Sequence, residues 1–595
     1  MPPDQTSEHQ YQQAVALYQQ GQTGQARNIC LAILEDMPGN PKLIHFHGLI
    51  FLREQNFPAA VQWIEHAIRL QPDNPLYHNN LGNTFRSMGK PERALLEYQA
   101  AVRIKPDFAP GYNNLGMVSA EQGITTRAAC YYEKAIAADP GFFQAFNNLG
   151  ELHRKQGYPD KAMALFKRAL AIAPGQGVVH YNIGVLHLEA HCFDNAVACF
   201  QKALSCRYRD KKLFNNIGVC LGKLNRYDAA ATHLANALEM DPEYADAHSN
   251  LGEILLSRCD IQGALDRFEQ AIQLDPDHAT ARLNKAVTLL TQGNFQEGWP
   301  GYQWRWEKQK IAPPDFGLPC WDGKDTKGGH ILVMDEQGFG DVIQFARYLP
   351  MVQKTGGPVI FKAPQALERL FSQCRCIEEV WAPQAGETSP PDKAICQVPL
   401  MDLPALFNTA RDNIPANVPY LSPDKALVPG WEKRLATSPG LKVGVVWAGS
   451  PGHENDQNRS CRLDPFLNLS TLPDTVFYSL QKEVGPGDAA ALEKNRIIDL
   501  GTRLRDFADT AAALSVMDLV ISVDTATAHL SGAMGKPTWM LLPFSPDWRW
   551  MLERRDSPWY PTMTLFRQPR LGDWETVFAE IASALTAAIK RNPAS

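Results

Sequence analysis

An all-α repeat solenoid followed by an α/β region of two doubly wound halves is the fold class predicted by this 595-residue sequence. Three observations predict it. Seven glycines (Gly48, Gly82, Gly116, Gly150, Gly184, Gly218 and Gly252) recur every 34 residues. Each is followed twelve positions later by an alanine: Ala60, Ala94, Ala128, Ala162, Ala196, Ala230 and Ala264. Beyond about residue 311 this period stops, and short apolar runs alternate with helical stretches.

The period is that of the tetratricopeptide repeat, a two-helix unit that stacks into a superhelix. Glycine on one helix and alanine on the other let the two backbones approach closely. A bulky residue four places after the alanine (Ile64, Tyr98, Tyr132, Phe166, Phe200, Leu234, Phe268) is expected to fill the groove between units. Prolines (Pro38, Pro72, Pro106, Pro140, Pro174, Pro242, Pro276) close the units because they cannot continue a helix, with Tyr208 the exception. The superhelix is expected to span 7–310, about eight repeats plus a capping unit in which Ala286 and Gly298 exchange the usual residues. That unit runs into Phe295, Trp299, Tyr302 and Trp306, spaced i, i+4, i+7, i+11, a stripe suited to a terminal helix docked on another domain.

A second ladder shares the period: Asn80, Asn114, Asn148, Asn182, Asn216, Asn250 and Asn284. Asparagine is a mediocre helix former, about 0.5–0.7 kcal/mol worse than alanine at each site. Stacked repeats would align these amides into a row able to donate to and accept from the backbone of an extended peptide, whatever its sequence. Duplication of one ancestral unit would copy the same asparagines with no such role.

The formal net charge of −6 offers no basic stripe for nucleic acid or anionic membrane. No apolar run is long enough to span a bilayer, and the start MPPDQTSEHQ lacks the features of a secretory signal. Twelve scattered cysteines show no zinc-ligand spacing and read as reduced thiols. A cytoplasmic location is expected.

A proline-bearing linker at 311–329 precedes the α/β region. HILVM (330–334) reads as a buried strand, DEQGFG as a tight turn, and Asp341 as the opening of a helix. PVIFKA and AICQV complete a first Rossmann-like half over 330–430. The second, 441–595, carries strands at LKVGVVWAG, TVFYSLQ, NRIIDL, DLVISVD and PTWMLLP and a final helix at 574–590. Familiar chemistry is missing: no GxGxxG, no Walker phosphate loop, and only a near miss for a nucleophile elbow at Ala448-Gly449-Ser450-Pro451-Gly452. The Asp-x-Asp at Asp275-Pro276-Asp277 falls at a repeat junction.

What remains is Ser522-Val523-Asp524-Thr525-Ala526-Thr527-Ala528-His529, where a buried strand turns into a helix N-terminus suited to an anion. This stretch resembles the donor motif of bacterial GT-B glycosyltransferases of the heptosyltransferase-like family, and EQGFGD resembles their acceptor loop. Repeats followed by two Rossmann halves resemble O-GlcNAc transferases and repeat-containing flagellin glycosyltransferases. The resemblance implies a GT-B fold. It implies Asp341 as the general base, although an aspartate after a glycine turn equally suits a helix cap. It implies donor binding by Asp524, Thr525, Ala526 and His529, with Arg459, or its neighbour Arg462, against the leaving diphosphate. Gln481 and Lys482 would end a strand on the cleft side, and Trp548, Arg549 and Trp550 would form a loop able to close on substrate.

The function so implied is inverting transfer of a sugar from a nucleotide-activated donor, without a metal or other cofactor, to Ser or Thr of a polypeptide held by the repeats, with flagellin a candidate acceptor. The alternatives are a lipid-linked or surface-glycan acceptor, and a repeat scaffold whose transferase half is inactive.

Overall fold

The structure, a computed structural model, describes residues 3–383, 389–435, 440–453, 455–495 and 497–591. Of the predicted α/β halves, residues 384–388, 454, 496 and 592–595 lie outside these ranges. The chain divides into two compact units, 1–240 and 241–595.

The first unit is helical throughout. Helices pair from Pro3–Gln19 with Thr23–Asp36 to Lys211–Lys223 with Tyr227–Met240. The period is written in the backbone as well: Gly21, Gln55, Gly89, Gly123, Gly157, His191 and Asn225 all take positive φ at the turn inside each pair. The bulky residues pack differently from the expectation. Each lies against the glycine of its own unit, so a Cβ on Gly82 would sit 2.5 Å from Tyr98 Cε1 and one on Gly150 2.7 Å from Phe166 Cε1. The same residues also join the core shared with the next unit: Tyr98 clusters with Leu115 and Val118. Where Tyr208 replaces proline, the preceding helix ends at Ser205 and Arg207 turns the chain at φ 59°.

The second unit opens with the pair Ala245–Ser257 and Ile261–Leu274, followed by Ala279–Gln292 and Phe295–Tyr302. The predicted terminal stripe is only partly continuous. The helix stops at Tyr302 and restarts over Arg305–Gln309, so Arg305 is buried in place of Trp306. Phe295, Trp299 and Tyr302 are buried and pack on Trp548, and Trp299 Nε1 donates to Thr409 O at 2.9 Å. Arg305 donates to both Glu336 oxygens at 2.9 Å and to Asp402 at 2.7 Å. The segment after this helix is tied down at its end, with Trp321 N donating to Gln397 O at 2.8 Å.

Two parallel sheets follow. In the first, β1 (His330–Met334), β2 (Val359–Lys362), β3 (Glu379–Trp381) and β4 (Ala394–Pro399) lie in the order β3-β2-β1-β4. The second contains β5 (Leu441–Val446), β6 (Thr475–Ser479), β7 (Ile498–Asp499), β8 (Leu519–Val523), β9 (Thr538–Leu542) and β10 (Met563–Arg567), ordered β10-β9-β8-β5-β6-β7. Strand order therefore reverses beside β1 in one sheet and beside β5 in the other, and ligands of open α/β sheets gather at the carboxyl ends of such strands. The final helix runs Trp574–Arg591. No helix among the described residues is long and apolar enough to cross a membrane.

Candidate functional site

A cleft of about 750 Å³ opens at the carboxyl ends of β1, β5, β6 and β8. Asp341, Arg459, Gln481, Lys482, Asp524, Thr525, Ala526 and His529 all line it, together with Arg549, whereas Trp548 and Trp550 do not. Arg462 is exposed and is absent from its lining.

Asp341 sits in the first turn of the helix Phe339–Phe345, which opens two residues earlier than predicted. Its Oδ2 accepts Gly338 N–H at 2.9 Å, the helix-capping role. Its Oδ1 pairs with Arg549 Nη2. Arg549 is buried, donates from Nε to Gln344 Oε1 at 2.8 Å, and pairs with Asp547 at 2.7 Å. Burial works against this guanidinium's charge, but Asp547 and Asp341 outweigh it and raise its pKa above the ordinary value.

Asp524 faces Asp341's half from the end of β8. Trp550 Nε1 donates to its Oδ2 at 2.8 Å, and His529 Nε2 lies 3.4 Å from its Oδ1. Burial alone would raise the pKa of this carboxyl. Hydrogen bonding and charge from His529, the Trp550 N–H and Arg549 prevail and lower it to about 2. His529 is itself held through Nδ1 by the Tyr560 hydroxyl at 2.9 Å, and burial keeps that phenol protonated. A Cβ on Gly340 would stand 3.0 Å from His529 Cδ2, so glycine there lets the two halves meet.

A helix N-terminus and a guanidinium lie beside this pair. Thr525 caps the helix Ala526–Ala533 through Ala528 N–H. The N–H groups of Ala526 and Thr527 have no partner among the described residues and line the cleft. Arg459 Nη1 donates to Asp524 O at 3.1 Å, and its guanidinium lies over Gly449, where a Cβ would come within 2.4 Å of Nη2. Gln481 Oε1 accepts Ala448 N–H at 3.1 Å, which leaves its amide hydrogens for the cleft. Lys482 Nζ donates to Arg505 O at 3.2 Å.

One expectation is corrected. Residues 548–550 do not stand open as a loop: Trp548, Arg549 and Trp550 are buried, with Arg549 bound to Asp341 and Trp550 to Asp524. The sequence contains no local signal for these pairings.

In the first unit, five ladder asparagines bind the preceding repeat. Asn114, Asn148 and Asn182 each donate from Nδ2 at 2.9 Å to Asn79, Asn113 and Asn147, while Asn80 reaches His45 Nε2 at 3.0 Å. Asn216 donates to Tyr181 Oη at 3.3 Å. The acceptor is the residue just before the preceding ladder position, which the recurring Asn-Asn dipeptide in the sequence could have revealed. Asn114 also donates to Asn83 Oδ1 at 3.2 Å, so both its amide hydrogens are used between repeats, whereas Asn80, Asn148, Asn182 and Asn216 use one each. In the second unit Asn250 and Asn284 are half-buried.

Family models described as tetratricopeptide repeats match residues 82–123 and 221–257, 113–177, and 255–298. The helix pairs of the chain are tetratricopeptide repeats. The chain is also similar to Protein FlbA of Caulobacter vibrioides, 29% identical over 319 residues that cover 49% of this chain and 52% of that protein. The chain thus spans about half the length of the curated relative it matches. Among solved structures, the Cut9–Hcn1 hetero-tetramer of the APC/C is 18% identical, covering 47% of this chain and 55% of that one, with a TM-score of 0.41. Pseudomonas aeruginosa PilF is 19% identical, covering 35% and 94%, with a TM-score of 0.32.

Proposed function

We propose that the chain is a protein O-glycosyltransferase of GT-B type, which moves a sugar from a nucleotide-activated donor to Ser or Thr of a polypeptide held by its repeats. The observation that carries this reading is the pairing of chemistries across one cleft: a carboxylate, Asp341, on one half, and an anion-binding helix start with Arg459 on the other. The acceptor hydroxyl attacks the anomeric carbon, the bond from that carbon to the phosphate oxygen breaks, and the hydroxyl proton passes to Asp341. The leaving phosphate's charge meets the Arg459 guanidinium and the N–H groups of Ala526 and Thr527. Asp524 and His529, fixed by Trp550 and Tyr560, orient the sugar hydroxyls. The Gly338 N–H and Arg549 leave each Asp341 oxygen a free lone pair and hold the carboxylate still, so it is positioned before substrate arrives. The asparagine row supports a polypeptide acceptor, with one amide hydrogen of Asn80, Asn148, Asn182 and Asn216 still open, and flagellin is the candidate.

Intact-mass measurement of flagellin from cells with and without this chain tests the reading, and a sugar-sized mass difference is expected. Replacing Asp341 with asparagine should lower transfer by about 10²–10⁴-fold while polypeptide binding is kept. Unchanged flagellin mass alongside an altered surface glycan would sink the proposal.

A further inference from the structure

A second cavity of about 740 Å³ lies in the second unit and has no lining residue in common with the cleft. It opens where strand order reverses in the first sheet, against Met334 at the end of β1, Pro399 at the end of β4 and Asp402 just past it. Its other walls come from the turn that ends the eighth repeat (Asp277), the terminal helix (Trp304, Trp306, Glu307) and the proline segment after it. This cavity and the cleft thus each lie at a switch point, where α/β sheets bind ligands.

The chemistry of this cavity is distinctive. Asp277, Glu307 and Asp402 line it, and no lysine or arginine does. The carboxylates of Asp277 and Glu307 have no side-chain partner among the described residues. The guanidiniums behind the wall are already engaged. Arg305 is bound to Glu336 and Asp402, and Arg282 lies 4.6 Å over the ring of Trp304 while donating to Pro276 O. Half-buried indoles beside uncompensated carboxylates attract a cation through both the ring quadrupole and charge. The Arg305 guanidinium, 4.8 Å over the ring of Trp306, already makes such a contact from behind the wall.

We propose that this cavity receives an arginine or lysine side chain of the extended acceptor polypeptide, anchoring it beside the cleft. Proximity follows from the end of β1, where Met334 lines this cavity and Gln337, three residues on, lines the cleft. Glu336, held by Arg305, is followed directly by Gln337, which lines the cleft and bonds to Tyr302 of the terminal helix. The acceptor class rests on the function proposed above, but the test reads binding alone.

Fluorescence anisotropy with the full chain would compare a labelled seven-residue Gly/Ser peptide carrying one central arginine with its citrulline isostere. The arginine peptide should bind about tenfold more tightly, the scale of one desolvated cation–π contact. That preference should disappear in Asp277→Asn/Glu307→Gln, whose exposed carboxylates carry no fold contacts, and in Trp306→Ala. Equal binding of the two peptides, no binding of either at millimolar concentration, or a preference that survives in the double variant would each overturn the inference. Arginine amide binding as tightly as the peptide would overturn the polypeptide assignment. If transfer survives in Asp341→Asn while the arginine preference holds, the proposed function fails and this site stands.

Discussion

Asp524 shows how far a single residue's surroundings can outweigh its burial. Two donors from opposite sides, Trp550 and His529, bring its carboxyl from the ordinary 3.8 to about 2. A depressed carboxyl pKa contributes stability that is fully present above the unfolded value and is lost as pH falls through the folded one. The window therefore runs from about pH 4 down to about pH 2, and the contribution is on the order of 2 kcal/mol. Urea unfolding of the wild type and Asp524→Asn should show a stability gap that shrinks as pH drops from 5 to 3. A gap that stays constant over that range would remove the depressed carboxyl from the account. At this scale the sequence was informative where a residue ends a strand. Asp524, Thr525, Gln481 and Asp341 were legible because a strand or its turn delivers them to one edge. The bonds of Arg549 and Trp550 were not, because their carboxylate partners lie 208 and 26 residues away and no local pattern links them.

Among elements, the repeat helices are governed by the contact between glycine and the bulky residue of the same unit. Alanine in place of Gly82 gains about 1 kcal/mol of helix propensity. It also drives a Cβ into the ring of Tyr98, which is fully buried and donates its hydroxyl to Asn83 at 2.8 Å, so the ring has little room to yield. Overpacking of this kind costs about 1–3 kcal/mol, so Gly82→Ala should be net destabilising by about 1 kcal/mol in chemical denaturation. Greater stability than wild type would show that Tyr98 can yield. Helix pairs were readable from the period, and the long apolar strands from their runs. The two strands missed, β3 and β10, both lie at sheet edges. β3 has only three residues, and β10 alternates Met563, Leu565 and Arg567 with Thr564 and Phe566 and contains no continuous apolar run. Only two residues of the predicted strand NRIIDL pair with a neighbour. The aromatic stripe failed at Trp306 because the helix breaks at Gln303 and Trp304 after the internal Pro300, which shifts the register and buries Arg305.

Across the second unit as a whole, one apolar cluster contains Leu283 and Trp299 of the last repeat, Ile331 and Tyr348 of the first half, and Trp548 and Met563 of the second. Inside it sits a charge network that periodicity could not foretell. Arg305→Met would leave Glu336 as a buried, uncompensated carboxylate and should cost about 3–5 kcal/mol. Adding Glu336→Gln, which keeps an acceptor for Met401 N–H at 2.9 Å, should restore much of that loss. Urea midpoints of the single and double variants check this, and a single variant as stable as wild type would refute it. The turn at 548–550 belongs to the same scale. Because adjacent residues grip Asp341 and Asp524, the two half-sites form one inheritable block. A recombinant that takes its second half from another protein would bring a foreign turn to an unmatched Asp341, so neither half of the cleft can be exchanged alone.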